Sequence, residues 1–230
     1  MSELDRMRAE YNRRRTDPLL RVRYSPFNEA QLFLLQTRER LLLKMLKQHH
    51  RQDLSQAVIL DLGCGNGSQL VYLTHYGARA ANLFGVDLMP DHLKRAVEQT
   101  HRLGLAQADG AYLPFPNGQF DLIFQFTVFS SILDARLKRQ VASEMLRVLR
   151  ARGSIIWYDF WADNPHNPHV KGINPDEIKT LFPDCTFDFQ RVTLAPPLAR
   201  RVAPRSWLLA EMLAKVPWLL THYLAVIQKV

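Results

Sequence analysis

The chain has 230 residues, 47% hydrophobic and 23% charged, with a formal net charge of +8, the composition of a soluble globular protein able to bury one sizeable core. Ten glycines and 13 prolines exclude a collagen-like or mainly disordered chain, while Cys64 and Cys185 alone exclude a disulfide framework and fit reduced thiols. Residues 1–15 lack the apolar stretch of a secretory signal and no run of about 18 apolar residues predicts a membrane span, so a cytoplasmic protein is expected.

Residues 1–25 are rich in arginine and carry Tyr11 and Tyr24 ahead of Pro26. Leu32, Leu35, Leu42, Leu43 and Leu46 recur at helical spacing, which predicts an amphipathic helix over 28–48. The short apolar run 57–62 ends at a glycine cluster and predicts a buried strand, followed by a helix over 69–75. The alternation continues with a strand at 82–87, a helix at 90–103, a short strand at 105–109 and a turn at 114–118. A strand at 120–126 precedes a helix at 135–149, a basic turn at 150–153 and a strand at 154–160. Strands alternating with helices of this length predict a parallel sheet covered on both faces. A helix at 176–181 and strands at 186–194 and 219–229 complete the pattern. The basic segment 196–217 between the last two strands reads as an inserted, partly helical cap.

Charge is uneven along the chain. Residues 1–51 hold 12 Lys+Arg against 6 acids, residues 52–195 hold 13 against 15, and residues 196–230 hold 5 against 1. Two basic ends therefore flank a slightly acidic middle. They read either as solvated faces or as a rim, including Arg13, Arg14, Arg15, Arg200, Arg201 and Arg205, that attracts an anionic partner. The expected organisation is an N-terminal helical lid (1–51), a cofactor-binding core (52–195), and a cap insertion with the final strand of the same domain (196–230).

The sharpest signal is Ile59-Leu60-Asp61-Leu62-Gly63-Cys64-Gly65-Asn66-Gly67. A strand runs into a glycine-rich turn that opens a helix, which is where open α/β sheets bind nucleotides. The glycines permit the tight turn and let a ligand approach the backbone. Asp87 ends the next strand 20 residues after Gly67, placed to accept both ribose hydroxyls, and Asp109 lies beyond it.

This set resembles the class I S-adenosylmethionine (SAM)-dependent methyltransferases over residues 57–160. The resemblance implies a doubly wound, mostly parallel, seven-stranded Rossmann-like α/β sheet, with SAM as cofactor and S-adenosylhomocysteine as product. It sets Gly63, Cys64, Gly65, Asn66 and Gly67 against the cofactor's methionine and ribose, with Asp61 near its ammonium group. Asp87 then holds the ribose, Leu88 lies against the adenine, and Asp109 with Gly110 and Ala111 meets the adenine amino group. Gln125, Phe126 and Thr127 end the fourth strand, where the family lines the methyl-bearing sulfur. Residues 149–153 resemble the turn before the fifth strand, with Ala151 in place of the common Lys or Pro. A dinucleotide-dependent dehydrogenase is the competing reading, but it expects a glycine where Ser68 stands and has no use for Asp61 or Asp109.

Methyl transfer asks mainly for in-line placement of the nucleophile, and a hydroxyl acceptor gains from a base within hydrogen-bond reach. Residues 157–169 leave the fifth strand on the rim where acceptor meets cofactor. Tyr158, Asp159 and His166 are therefore candidate catalytic groups, and Trp161 and His169 candidate acceptor contacts. Tyr11, Tyr24 and Phe27 are expected to roof the same pocket. Each has a structural alternative: Asp159 as a turn cap, the two histidines as exposed loop residues. The blocks 157–160 and 164–168, with 23–28 and 221–224, resemble a bacterial subset of small-molecule methyltransferases that often serves glycan or specialised-metabolite pathways. No His/Cys/Asp/Glu spacing resembles a metal site, and no metal is expected.

The expected partner is a small-molecule acceptor, an anionic one fitting the basic ends, methylated on a hydroxyl oxygen. No DNA partner is expected. An RNA methyltransferase stays open as an alternative, weakened because Gln125-Phe126-Thr127-Val128 stands where a base-methylating tetrad belongs. A peripheral enzyme at the inner membrane face, acting on a lipid-linked acceptor, is the other alternative. Trp207, Leu208, Leu209, Met212, Leu213 and Trp218 then either rest in the interface or pack onto the enzyme's own sheet.

Overall fold

In the computed structural model, residues 2–99, 103–163 and 167–230 are described. The chain opens with three helices, α1 (Glu3–Thr16), α2 (Pro18–Arg23) and α3 (Glu29–Gln48). Ser2 starts α1 with a reciprocal capping box, its hydroxyl accepting from Asp5 N while the Asp5 carboxylate accepts from Ser2 N. Asn28 caps α3 by accepting from Ala30 N and Gln31 N. Then come β1 (Ile59–Leu62), α4 (Ser68–His75), β2 (Leu83–Asp87), α5 (Pro90–Gln99), β3 (Gly104–Gln107) and β4 (Phe120–Phe126). They are followed by α6 (Ala135–Val148), β5 (Leu149–Phe160), α7 (Pro175–Leu181), β6 (Cys185–Leu194), α8 (Pro196–Val202), α9 (Trp207–Leu213) and β7 (Leu220–Lys229).

The seven strands form one sheet in the order β3-β2-β1-β4-β5-β7-β6. β1 to β5 run parallel, and β7 is antiparallel to both β5 and β6. Side chains alternate across it with period two. Ile155 and Trp157 face a core completed by α6, α7 and Met7 of α1, whereas Ile156 and Tyr158 face the core built by α3 and α4. A third, smaller cluster joins Ala30 and Phe33 of α3 to Ala199, Ala203 and Ala210 of the cap.

Two boundaries differ from the sequence reading. The expected turn at 150–153 is a bulge inside β5: Phe120 pairs with Leu149 and Leu122 with Ser154, and Arg152 takes a positive φ of 58°. The strand expected at 105–109 ends at Gln107, because Ala108 N still bonds Asp87 O while Asp109 turns to accept from Ala111 N. The expected ends of the 90–103 helix fall partly on residues 100–102, outside the described residues.

The cap has a defined place. The chain leaves β6 at Leu194 and re-enters β7 at Leu220, which are register partners, and β5 ends where Phe160 meets His222. α8 and α9 therefore sit at the carboxyl edge of the parallel strands, the edge on which the glycine turn also lies. Among the described residues, no helix is long and apolar enough to cross a membrane, and no group of three or more His, Cys, Asp or Glu is placed to hold a metal ion.

Candidate active site

The turn after β1 is fixed from below by β2: Gly63 N and Cys64 N both donate to Val86 O, at 2.8 and 3.0 Å. Gly63 has φ +74°, and a Cβ there would lie 2.4 Å from Val128 Cγ2. Gly65, at φ +55°, has no atom within 4 Å of where a Cβ would stand, so its backbone faces open space. Gly67, also left-handed, starts α4. Asn66 braces that start by accepting from the Ser68 hydroxyl.

Asp87 ties the loop to the next turn. Its Oδ2 accepts from Gly65 N at 2.9 Å, and its Oδ1 accepts from Met89 N at 2.8 Å and faces His92 Nδ1 at 3.1 Å. Asp87 and His92 border a cavity of about 190 Å³ whose floor includes Gly63, Gly65, Leu88, Asp109 and Gly110. Phe126, Thr127 and Val128 form one wall. Thr127 holds a left-handed backbone, φ 59°, with its N donating to Tyr158 O at 2.7 Å. A β-branched residue in that region is strained and stays there only because the surroundings hold it. Gln125 steers the turn by accepting from Val128 N, and its buried Nε2 has no partner among the described residues.

Asp61 is the electrostatic oddity. It is buried at the end of β1, and among the described residues its carboxylate accepts no hydrogen bond. Burial, helped by the charge of Asp87 and opposed by Arg38, raises its carboxyl to about 7. A buried carboxylate without donors is costly, and a ligand ammonium would supply the donors it lacks. Arg38 of α3 lies 4.7 Å over the Phe126 ring and 5.4 Å over the Tyr158 ring, which sets a fixed cation beside the same strand ends.

The roof is α1. Leu4, Met7 and Tyr11 line the cavity from above. Polar bonds latch the helix: Glu3 Oε1 accepts from Leu133 N, and Arg6 donates to Ser131 O and His169 O. The Tyr11 ring meets His92 edge-on at 5.8 Å, and its hydroxyl donates to Ser131 Oγ.

Residues 60–157 match the family described as "Methyltransferase domain". Over that stretch the chain is similar to methyltransferase domains. A probable tocopherol O-methyltransferase of Oryza sativa is 33% identical over 134 residues, covering 55% of this chain and 35% of that one. A phthiotriol/phenolphthiotriol dimycocerosates methyltransferase of Mycobacterium leprae is 32% identical over 114 residues, 49% of this chain and 41% of that one. The matched stretch thus spans well under half the length of both relatives. A solved structure of a putative sarcosine dimethylglycine methyltransferase from Galdieria sulphuraria superposes with a TM-score of 0.64 at 19% identity, over 85% of this chain and 86% of that one. The named acceptors differ widely, so the acceptor has to be argued from the site.

The fold gathers many of the residues singled out in the sequence and leaves others apart. Gly63, Gly65, Asp87, Leu88, Asp109, Gly110, Phe126 and Thr127 line the cavity together with Tyr11. Asp61, Cys64 and Gln125 lie beneath that lining, with burial pushing the Cys64 thiol up. Ala111 is buried beside Asp109. Asp159 is buried and does not border the cavity: its Oδ2 accepts from Ser130 N, and burial raises its carboxyl to about 7. Tyr158 points to the other face of the sheet, its hydroxyl paired with Thr193 Oγ1 and its ring stacked on His222. His166 lies outside the described residues.

Among the expected acceptor contacts, Tyr24 and Phe27 are exposed and away from the cavity lining. The Trp161 indole donates to Leu220 O beneath Arg191. His169 faces Glu10 at 3.6 Å under the roof. Glu10, bonded to Arg13 and Arg14, has its carboxyl lowered to about 2. Sequence reasoning missed Leu4, Met7, His92 and Arg38. His92 was within reach, five residues after Asp87 in the first turns of α5. Arg38 sits among leucines of an amphipathic helix and gave no signal.

Proposed function

We propose that this chain transfers the methyl group of SAM to a hydroxyl oxygen of a small molecule. The reading rests on one observation: the cavity is floored by the glycine turn and Asp87 and closed above by the latched helix α1. A roofed chamber of that kind suits a small acceptor better than a folded polymer.

The residues present fit the cofactor. Asp61 offers a charged acceptor to its ammonium group, the open backbone at Gly65 permits close approach, and Asp87 and Asp109 offer carboxylates to ribose and adenine. When bound, SAM supplies an electrophilic methyl group on a sulfonium sulfur. The chain's part is then placement and dryness. Thr127 and Val128, held by Gln125 and Tyr158 O, fix the wall at the strand end. Leu4, Met7 and Tyr11 exclude water from above. The Tyr11 hydroxyl, raised by burial above its ordinary value, stays protonated and keeps its donor bond to Ser131, so it orients an acceptor oxygen as a hydrogen-bond partner. Asp159 acts through Ser130, holding the turn that presents Ser131. It is a positioning residue in this reading.

One relative is named a probable tocopherol O-methyltransferase, which supports oxygen as the methylated atom. The test is transfer of radiolabelled methyl from SAM into separated metabolite, lipid and RNA fractions. Label in a small molecule that is released by ether cleavage, and not by amine chemistry, is expected. Label confined to RNA would overturn the proposal.

A further inference from the structure

The helices at the carboxyl edge of the sheet leave large apolar side chains in water. From α2 and the turn after it, Leu19, Val22 and Phe27 are exposed, Phe27 by 96%. From α9 and the turn after it, Leu208, Met212 and Trp218 are exposed, Trp218 by 84%. Single exposed apolar residues are ordinary, but this concentration on adjoining elements marks an interaction surface. α8 lies between the two: its Arg200 feels the charge of Arg23 at the end of α2, and it packs on α9, whose Trp207 meets Phe33 of α3 edge-on at 5.2 Å. The apolar stripe of α9 is thus divided. Ala210 and Leu213 pack onto the cluster around Phe33, while Leu208 and Met212 face out.

The charge around this surface differs from that on α1. On α1, Arg6 pairs with Glu3, Arg8 with Asp5, and Arg13 and Arg14 with Glu10. Arg23, Arg200, Arg201, Arg205 and Lys215 have no acidic partner within ion-pair distance among the described residues. Unpaired cations beside exposed Trp, Phe, Leu and Met make up the composition that seats a helix in an anionic phospholipid interface.

We infer that α2, the turn to α3, α8 and α9 form one face that docks on an anionic lipid bilayer. The apolar side chains enter the headgroup region and the arginines meet the phosphates. This face lies at the same edge of the sheet as the cavity, so docking turns that edge toward the bilayer and gives a lipophilic acceptor a short path to the site. Docking does not require methyl transfer, so it stands or falls apart from the proposed reaction.

The full chain is sedimented with vesicles of phosphatidylcholine alone and of phosphatidylcholine mixed with phosphatidylglycerol. Binding to the anionic vesicles at least about tenfold tighter, and weakened by salt, is expected. Arg201→Glu with Arg205→Glu should remove that preference. Leu208→Ser, Met212→Ser and Trp218→Ser together should weaken binding by at least about tenfold. All are surface changes and should leave the melting temperature and SAM affinity unaltered. Absence of vesicle binding, or equal binding by parent and triple variant, overturns the inference. So does a dimer that the triple variant dissociates in the absence of vesicle binding, since the face then belongs to a second copy.

Discussion

Replacing Asp61 by Asn separates what the buried carboxyl costs from what it does. Burial and the Asp87 charge raise this carboxyl from 3.8 to about 7. A carboxyl with a raised folded-state pKa holds its proton more tightly in the folded chain. Its stability contribution is therefore intact below the unfolded value of 3.8 and is lost as the pH rises through 7. At about 1.36 kcal/mol per pKa unit, the cost reaches about 4 kcal/mol at pH 8 but only about 1.5 kcal/mol at pH 5, both upper bounds for a site that relaxes on ionisation. Asn keeps the shape and removes the titration. Thermal unfolding should show the variant stabilised, by up to about 2–3 kcal/mol more at pH 8 than at pH 5, with each kcal/mol worth about 2–4 °C at this chain length. SAM binding by calorimetry should move the other way, weakening by at least about tenfold, or about 1.4 kcal/mol, as the ligand ammonium loses a charged acceptor. Identical stability gains at the two pH values, or unchanged SAM affinity, would refute the reasoning.

Asp87→Ala releases Gly65 N and Met89 N together and should weaken SAM binding by at least about tenfold; calorimetry showing the parent affinity removes its role. Gly63→Ala forces a Cβ to within 2.4 Å of Val128 Cγ2 on a left-handed backbone and should cost about 1–3 kcal/mol by denaturant unfolding. Adding Val128→Ala should recover only part of that loss, and full recovery would mean that the backbone carries no strain. Arg6→Ala breaks the bonds to Ser131 O and His169 O and should speed SAM dissociation in stopped flow. An unchanged rate would detach α1 from ligand exchange.

The centre of the sheet was legible in the chain because β1, β2 and β4 are short apolar runs buried on both faces, whereas β3 at the edge is not buried. Ile59–Leu62 and Phe120–Phe126 could be read almost to the residue. The bulge in β5 was not, because Arg150 to Gly153 look like any basic turn until pairing with Phe120 shows that the strand continues through them. The glycine turn with Asp61, Asp87 and Asp109 around it stood out by spacing, while the roles of Asp61 and Asp109 toward a cofactor came from the family resemblance. The roof was less so: α1 is almost wholly polar, and its position depends on bonds from Glu3 and Arg6 to carbonyl and amide groups more than 120 residues away. Tyr158 and Asp159 illustrate the limit of reading a strand end. Adjacent residues point to opposite faces, and only the fold shows that one meets Thr193 and the other Ser130.

Among the hydrophobic side chains of α1, Met7 is buried and Leu4 and Tyr11 are partly so, and polar bonds from Glu3 and Arg6 complete the helix's attachment. Such a segment opens locally at far lower free energy than the sheet beneath it. Yet Met7 and Tyr11 are also the ceiling that a bound molecule touches. Whatever occupies the chamber first therefore shifts the helix toward its closed state, and the closed helix favours the second occupant by the same factor. Cofactor and acceptor should accordingly bind with positive cooperativity that passes through the helix as well as through their own contact. The acceptor's affinity measured with S-adenosylhomocysteine present would then exceed its affinity for the empty chamber.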